Sequence, residues 1–183
     1  MATAPIAARA VPAKKLRLKI EMVPESLWGK NLRHASVLGK RRWTKLRAAE
    51  LARIGPACAI CGSPDNPQGH EVWEYTETKR TSKAKLVRVE IICRMCHFVH
   101  HFGMTMRLIP EGRMTVEGVE DVRQHFIRVN ECKARDWDRH AAEASEEWRK
   151  RNAKRWTVDY GPYAEMVREV QATREGGAQK KRP

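Results

Sequence analysis

The sequence predicts an α+β fold in which a small hairpin and the helix after it form the centre and further helices flank them. Three observations predict it. Two C-x-x-C pairs, Cys58 with Cys61 and Cys93 with Cys96, stand 31 residues apart. Between them, His70 to Tyr75 and Leu86 to Ile92 alternate polar with apolar or aromatic residues, the period-2 signature of strands. On either side, apolar residues recur at helical spacing.

At the N-terminal end, residues 1–14 are rich in Ala and Pro and read as a flexible segment. They lack the apolar centre of a secretory leader, and Pro5 and Pro12 spoil the amphipathic helix of a transit peptide. Residues 15–57 form a basic strand-helix region. Leu16, Leu18, Ile20 and Met22 share one face of a short strand that Pro24 ends, and Glu25 to Trp28 start a short helix. A longer helix runs from Lys40 to Ile54, stopped by Gly55-Pro56.

Residues 58–110 are the expected centre: a cysteine knuckle, a hairpin with a polar loop from Thr76 to Lys85, and a helix from Cys93 to Phe102 stopped by Gly103. Residues 111–173 are helical. Val119, Val122, Phe126 and Val129 form one apolar stripe and Trp137, Ala141, Ala144 and Trp148 a second, with Asn130 as the break. Trp156 to Asp159 is extended, a last helix covers Tyr163 to Thr173, and 174–183 is a polar, basic tail without reason to be ordered.

The four paired cysteines match a single tetrahedral Zn²⁺, because each C-x-x-C turn can present two thiolates to one ion. Gly62 supports the tight turn that such a knuckle needs. Redox dithiols are the alternative, but two pairs framing one hairpin suit one metal better. Four thiolates close the coordination sphere, so this zinc is expected to be structural. Five cysteines with one left over, Cys132, fit a reducing, cytoplasmic setting rather than a disulfide framework.

The chain carries 36 Lys and Arg against 22 Asp and Glu, a formal charge of +14. Residues 1–57 alone hold 13 basic and 3 acidic side chains, hence +10 of that excess. Such a surface attracts polyanions, and nucleic acid is the first partner to expect. Lys40, Arg41, Arg42 and Arg47 would line one flank of the first long helix as a phosphate-tracking face. No run of about 18 apolar residues exists, so no membrane-spanning helix is expected. A protein partner is compatible with the sequence but is not legible in it.

On the helix after the second cysteine pair, His97 and His101 stand four apart, with Cβ atoms about 5 to 6 Å from one another, a spacing that lets two imidazoles share a metal. With C-x-x-C-G, then H-E-V-W-E-Y, then C-x-x-C-H-x-x-x-H-F-G, the chain resembles the zinc-stapled branch of the HNH endonuclease superfamily. The flanks also resemble bacterial HNH-type proteins, through Val23-Pro24, Trp28-Gly29-x-Asn31-Leu32-Arg33, Val129-Asn130, Trp148, Trp156 and Asp159. The likeness spans roughly Lys15 to Asp159.

This resemblance implies a ββα-metal hairpin and helix that hydrolyse phosphodiester bonds, in DNA first of all. His70 would be the general base, His97 and His101 would hold a second divalent ion (Mg²⁺, Mn²⁺, Ni²⁺ or Zn²⁺), and Glu71 or Glu74 would support the site. The sequence departs from the family pattern twice. Gly69 stands where an acidic or His ligand often precedes the base, and the middle Asn is absent from Arg88 to Ile92. The other reading is therefore an inactive, zinc-stabilised nucleic-acid-binding or assembly protein of the same fold.

Overall fold

A hairpin needs one face covered before its strands are stable in water, and here both faces are in use. The computed structural model of the protein describes residues 15–179. It is an α+β fold whose three-stranded sheet has the order β1 (Gln68–Glu77), β2 (Ser82–Ile92) and β3 (Thr157–Asp159). The first pair is antiparallel and the second parallel. Six α-helices are present among the described residues: α1 (Lys40–Ile54), α2 (Arg94–His100), α3 (Phe102–Arg107), α4 (Val116–Asn130), α5 (Ala134–Asn152) and α6 (Ala164–Gln179). The expected flexible segment 1–14 and the last residues of the expected tail, 180–183, lie outside the described residues; α6 runs on past Thr173, where the sequence pattern ends.

The hairpin is longer than the alternation suggested. Its strands extend through most of the expected loop, leaving only residues 78–81, where Thr78 and Thr81 bond backbone to backbone and hydroxyl to hydroxyl. Nor is β2 regular. Val72 pairs with Arg88 but Trp73 pairs with Leu86, so Val87 is an extra residue and β2 carries a bulge. An odd spacing would put Leu86 and Val89 on opposite faces of a regular strand. The bulge returns both to one face, where they share a core with Leu32, Val37, Leu38, Val167 and Val170.

That face is covered by α1, the loop before it and α6. Trp43 and Leu46 of α1 pack on it beside Trp73. The other face carries His70, Val72, Arg88 and Glu90, and α2 lies over only part of it, so a cleft remains.

Leu16 to Met22 do not form a strand, although the period-2 burial is real: Leu18 and Ile20 are buried, and Leu16 and Met22 pack on the same core as partly buried neighbours. These residues pair with no strand, and side chains bond much of their backbone. Asn130 Oδ1 accepts from the N–H groups of Arg17 (2.8 Å) and Leu18 (3.0 Å), while its Nδ2 donates to Leu18 O (2.9 Å). Ile20 N donates to His140 Nε2, and Glu21 N to His100 O. Asn130 thus ends α4 as expected, with Glu131 following in the left-handed region, but its buried amide also anchors this extended segment.

Phe126 and Trp137, from the two apolar stripes of α4 and α5, meet edge to face at 5.0 Å in the core that contains Leu18, Ile92, Val99 and three of the paired cysteines. The knuckles are therefore built into this core.

Candidate metal centres

Cys58 and Cys61 sit on a turn in which Gly62 N bonds Cys58 O and Cys58 N bonds Ser63 O. Gly62 has φ +80, as the knuckle reading requires. Cys61 N points at Cys58 Sγ (3.5 Å), and Cys93, at the N-cap of α2, accepts from Cys96 N (3.4 Å). These amide-to-sulfur contacts favour thiolates. Ala59 N bonds Ile91 O, which ties the first knuckle to the end of β2 beside the second. All four sulfurs lie within 4.8 Å of one another, the spacing of ligands around one tetrahedral ion. The four cysteines can hold one structural metal ion such as zinc.

Their mutual electrostatics has the same origin. A hydrogen bond from the Cys96 thiol draws Cys58 down to about 4, whereas burial pushes Cys93 up to about 11 and the bond to Cys58 raises Cys96. Thiolates this close repel one another until a cation neutralises them. Cys96 Sγ also lies 3.2 Å from His125 Nε2. His125, expected to serve only locally, therefore orients one of the four clustered sulfurs. Its place on α4, 29 residues from Cys96, left no sequence signal.

The second group is His70 on β1, His97 on α2 and His101 just after it. One ring nitrogen from each lies within 4.8 Å of the others. Ring centroids are 5.7 Å apart for His70 and His97, 5.2 Å for His70 and His101, and 4.7 Å for His97 and His101. The expected single helix from Cys93 to Phe102 instead breaks at His101 (φ −97, ψ 40), and α3 then runs straight through Gly103, which packs against Met22. Thr105 Oγ1 donates to the Phe98 carbonyl across the break (2.8 Å).

Burial holds all of these imidazoles neutral. His97 falls to about 4 and His101 to about 3, while His70 lies well below its ordinary 6.5 through burial first and then the neighbouring His100, His101 and His97. Neutral imidazole is the form that binds a metal or accepts a proton.

His100, also expected to be local, stacks on His70 at 4.5 Å and 24°. It is buried, its two ring nitrogens and His70 Nδ1 have no hydrogen-bond partner among the described residues, and Glu21 Oε2 is 3.9 Å from its Nδ1. Both His70 and His100 line a cleft of about 440 Å³ with Arg17, Lys19, Arg88, Glu21 and Glu90. A second cleft, of about 330 Å³, opens beside His97.

Neither acidic candidate reaches the histidines. Glu71 faces the opposite side of the sheet, where Oε1 accepts from Leu32 N (2.7 Å) and Oε2 from Trp73 Nε1 (3.0 Å). Burial raises it to about 7 against these bonds, and its role is to hold the N-terminal loop on the sheet. Glu74 shares the His70 face but is exposed, opposite Lys85, about 13 Å along the strand.

Lys40, Arg41 and Arg42 are exposed on α1, on the covered side of the sheet, and line neither cleft. Arg47 does not belong to a free basic flank: its guanidinium donates to the Pro67 carbonyl and its Cγ stem rests on Gly69. A Cβ at Gly69 would lie 2.9 Å from Trp43 Cζ2 and 3.3 Å from Arg47 Cγ. The glycine that replaces a possible ligand is thus the seat of the Trp43 ring.

No family model, curated protein or solved structure matches the chain. No helix among the described residues is long and apolar enough to cross a membrane.

Proposed function

We propose that the chain is a metal-dependent endonuclease of the HNH type, hydrolysing phosphodiester bonds in DNA. The observation that carries this reading is that one ring nitrogen from each of His70, His97 and His101 converges within 4.8 Å, on a strand-strand-helix unit whose hairpin is bracketed by the two cysteine pairs. The cysteines hold zinc, which a reducing, cytoplasmic compartment would leave accessible to their thiolates. His97 and His101 hold a second divalent ion. That ion, when bound, supplies charge stabilisation to the scissile phosphate and the leaving 3′ oxygen.

His70 is the base. Burial keeps it neutral, the form that can accept a proton, and one of its ring nitrogens stands within 4.8 Å of the pair of ligands, so it can accept the proton of an attacking water. A cluster whose ligand atoms all come from imidazoles favours a transition metal over Mg²⁺.

Plasmid nicking across Mg²⁺, Mn²⁺, Ni²⁺ and Zn²⁺ tests the reading. Cutting with at least one ion, lost in His70→Ala while the second ion is still bound, is the expected result. Loss of the ion together with activity would make His70 a third ligand instead. Equal cutting by His70→Ala rules out catalysis by this site, and absence of cutting with every ion leaves the second reading, an inactive zinc-stabilised nucleic-acid-binding module. That reading draws on Gly69, where Trp43 occupies the space a ligand side chain would need.

A further inference from the structure

The three histidines lie between two clefts of different charge. The first, lined by His70 and His100, mixes Arg17, Lys19 and Arg88 with Glu21 and Glu90, and much of its positive charge is already committed. Arg88 Nη2 is 3.0 Å from Glu90 Oε2, and Arg17 donates to the Ile60 carbonyl (2.6 Å). The second is lined by His97, Arg94, Arg113, Asn66, Gln68, Phe98 and Leu108, with no carboxylate in its wall.

Arg94 is exposed, lies over the Phe98 ring at 5.0 Å from its centroid, and has no acidic partner among the described residues. Arg113 is exposed and pairs only with Glu111 beside it (3.0 Å). Of the three clustered histidines, His70 is buried on the side of the first cleft, whereas His97 is half-buried and edges the second. An anion in the second cleft lies among two guanidinium groups, the amides of Asn66 and Gln68, and His97. In the first it lies beside Glu21 and Glu90 as well.

We infer that the nucleic-acid backbone lies in the second cleft, with Arg94 and Arg113 as its phosphate contacts next to His97. This rests on the nuclease reading and assigns the substrate-contacting face of that site. Guanidinium groups bind phosphate oxygens in pairs and are weakly hydrated, so Arg94, without an acidic partner among the described residues, and Arg113, paired only with the exposed Glu111 that lies outside the cleft wall, are suited to hold a phosphodiester beside His97. The cation over Phe98 fixes one of them in place. The basic start of α1, at Lys40 to Arg42, then contributes to the general field rather than to the cleft.

The test is fluorescence anisotropy with a labelled DNA duplex across a salt series, using the full chain carrying His70→Ala so that the probe stays intact. Arg94→Ala with Arg113→Ala is compared with Lys19→Ala with Arg88→Ala, each first shown to retain about one zinc per chain. Removing two phosphate contacts should lower the slope of log affinity against log salt by about 1.8, while the first-cleft pair leaves it unchanged. Equal effects of the two pairs, or a larger effect of the first-cleft pair, overturn the inference while leaving DNA binding in place. A parent protein that fails to bind the duplex overturns the nucleic-acid reading itself, and the inference with it.

Discussion

Asn130→Ala should unfasten the segment that walls the first cleft. The Asn130 amide makes three bonds to the backbone of Arg17 and Leu18, two of them in the buried interior. Each buried group left without a partner costs about 1–3 kcal/mol. The two Leu18 bonds therefore set a loss of about 2–6 kcal/mol, and the partly buried Arg17 N–H adds less because water can reach it. That is a large share of the roughly 5–15 kcal/mol by which a domain is stable.

Urea unfolding of the zinc-loaded protein, followed by tryptophan fluorescence, measures it, since Trp137 packs against Phe126 four residues before Asn130. Asn130→Asp separates bonding from volume. Its carboxylate can still accept from both N–H groups but opposes the Leu18 carbonyl where Nδ2 now donates. Repulsion raises the folded-state pKa of this new acid, so its neutral form, able to donate to Leu18 O, is favoured. Relative to the unaltered protein, Asn130→Asp should regain stability as pH falls through that raised pKa. A loss below about 1 kcal/mol for Asn130→Ala would refute the anchoring role.

Three further outcomes follow from named contacts. Cys96→Ser, or chelation of the zinc, should abolish cooperative unfolding, because three of the paired cysteines belong to the same buried core as Leu18, Val99 and Phe126; a metal-free variant with unchanged near-ultraviolet circular dichroism would contradict this. Gly69→Asp should lower stability by about 1–3 kcal/mol through overpacking against Trp43 and leave the number of bound metal ions unchanged, as measured by urea unfolding and elemental analysis. His140 accepts from Ile20 N and burial holds its pKa below the ordinary 6.5, so the unfolded chain takes up its proton first as pH falls. Its contribution is intact above 6.5 and is lost as pH drops from there toward the folded-state value; His140→Gln, which keeps an acceptor, should flatten that loss below pH 6.5 in parallel denaturation curves.

The cysteine cluster, the hairpin and α1 were legible because each rests on a local rule. Two C-x-x-C pairs, period-2 alternation and a glycine stop need no knowledge of the rest of the chain. The errors lie where a distant partner overrides the local pattern. Leu16 to Met22 alternate like a strand but are bonded by side chains more than a hundred residues away. Val87 looks like any strand valine, yet the need to bury both Leu86 and Val89 makes it the bulge. His97 and His101 were readable from helical spacing, whereas the stacking of His100 on His70 depends on how α2 crosses the strand. Glu71 is offered by the resemblance as a supporting acid, although strand alternation alone sets it on the face opposite His70; the structure follows the alternation and gives it to Leu32.

The cysteine and histidine clusters are consequently linked in one direction. Cys93 and Cys96 open the helix that carries His97, while Ala59, between the first two cysteines, bonds the end of β2. Loss of the cysteine-bound ion should therefore disperse the histidines, because it frees both the start of α2 and its register with the hairpin. The reverse does not follow. Val99, Cys96 and Phe126 keep α2 seated without any contribution from the exposed edge of His97, so substitution of His97 should leave the cysteine centre intact. This asymmetry fits a division of labour in which one ion fixes the backbone and the histidines are free to meet a ligand.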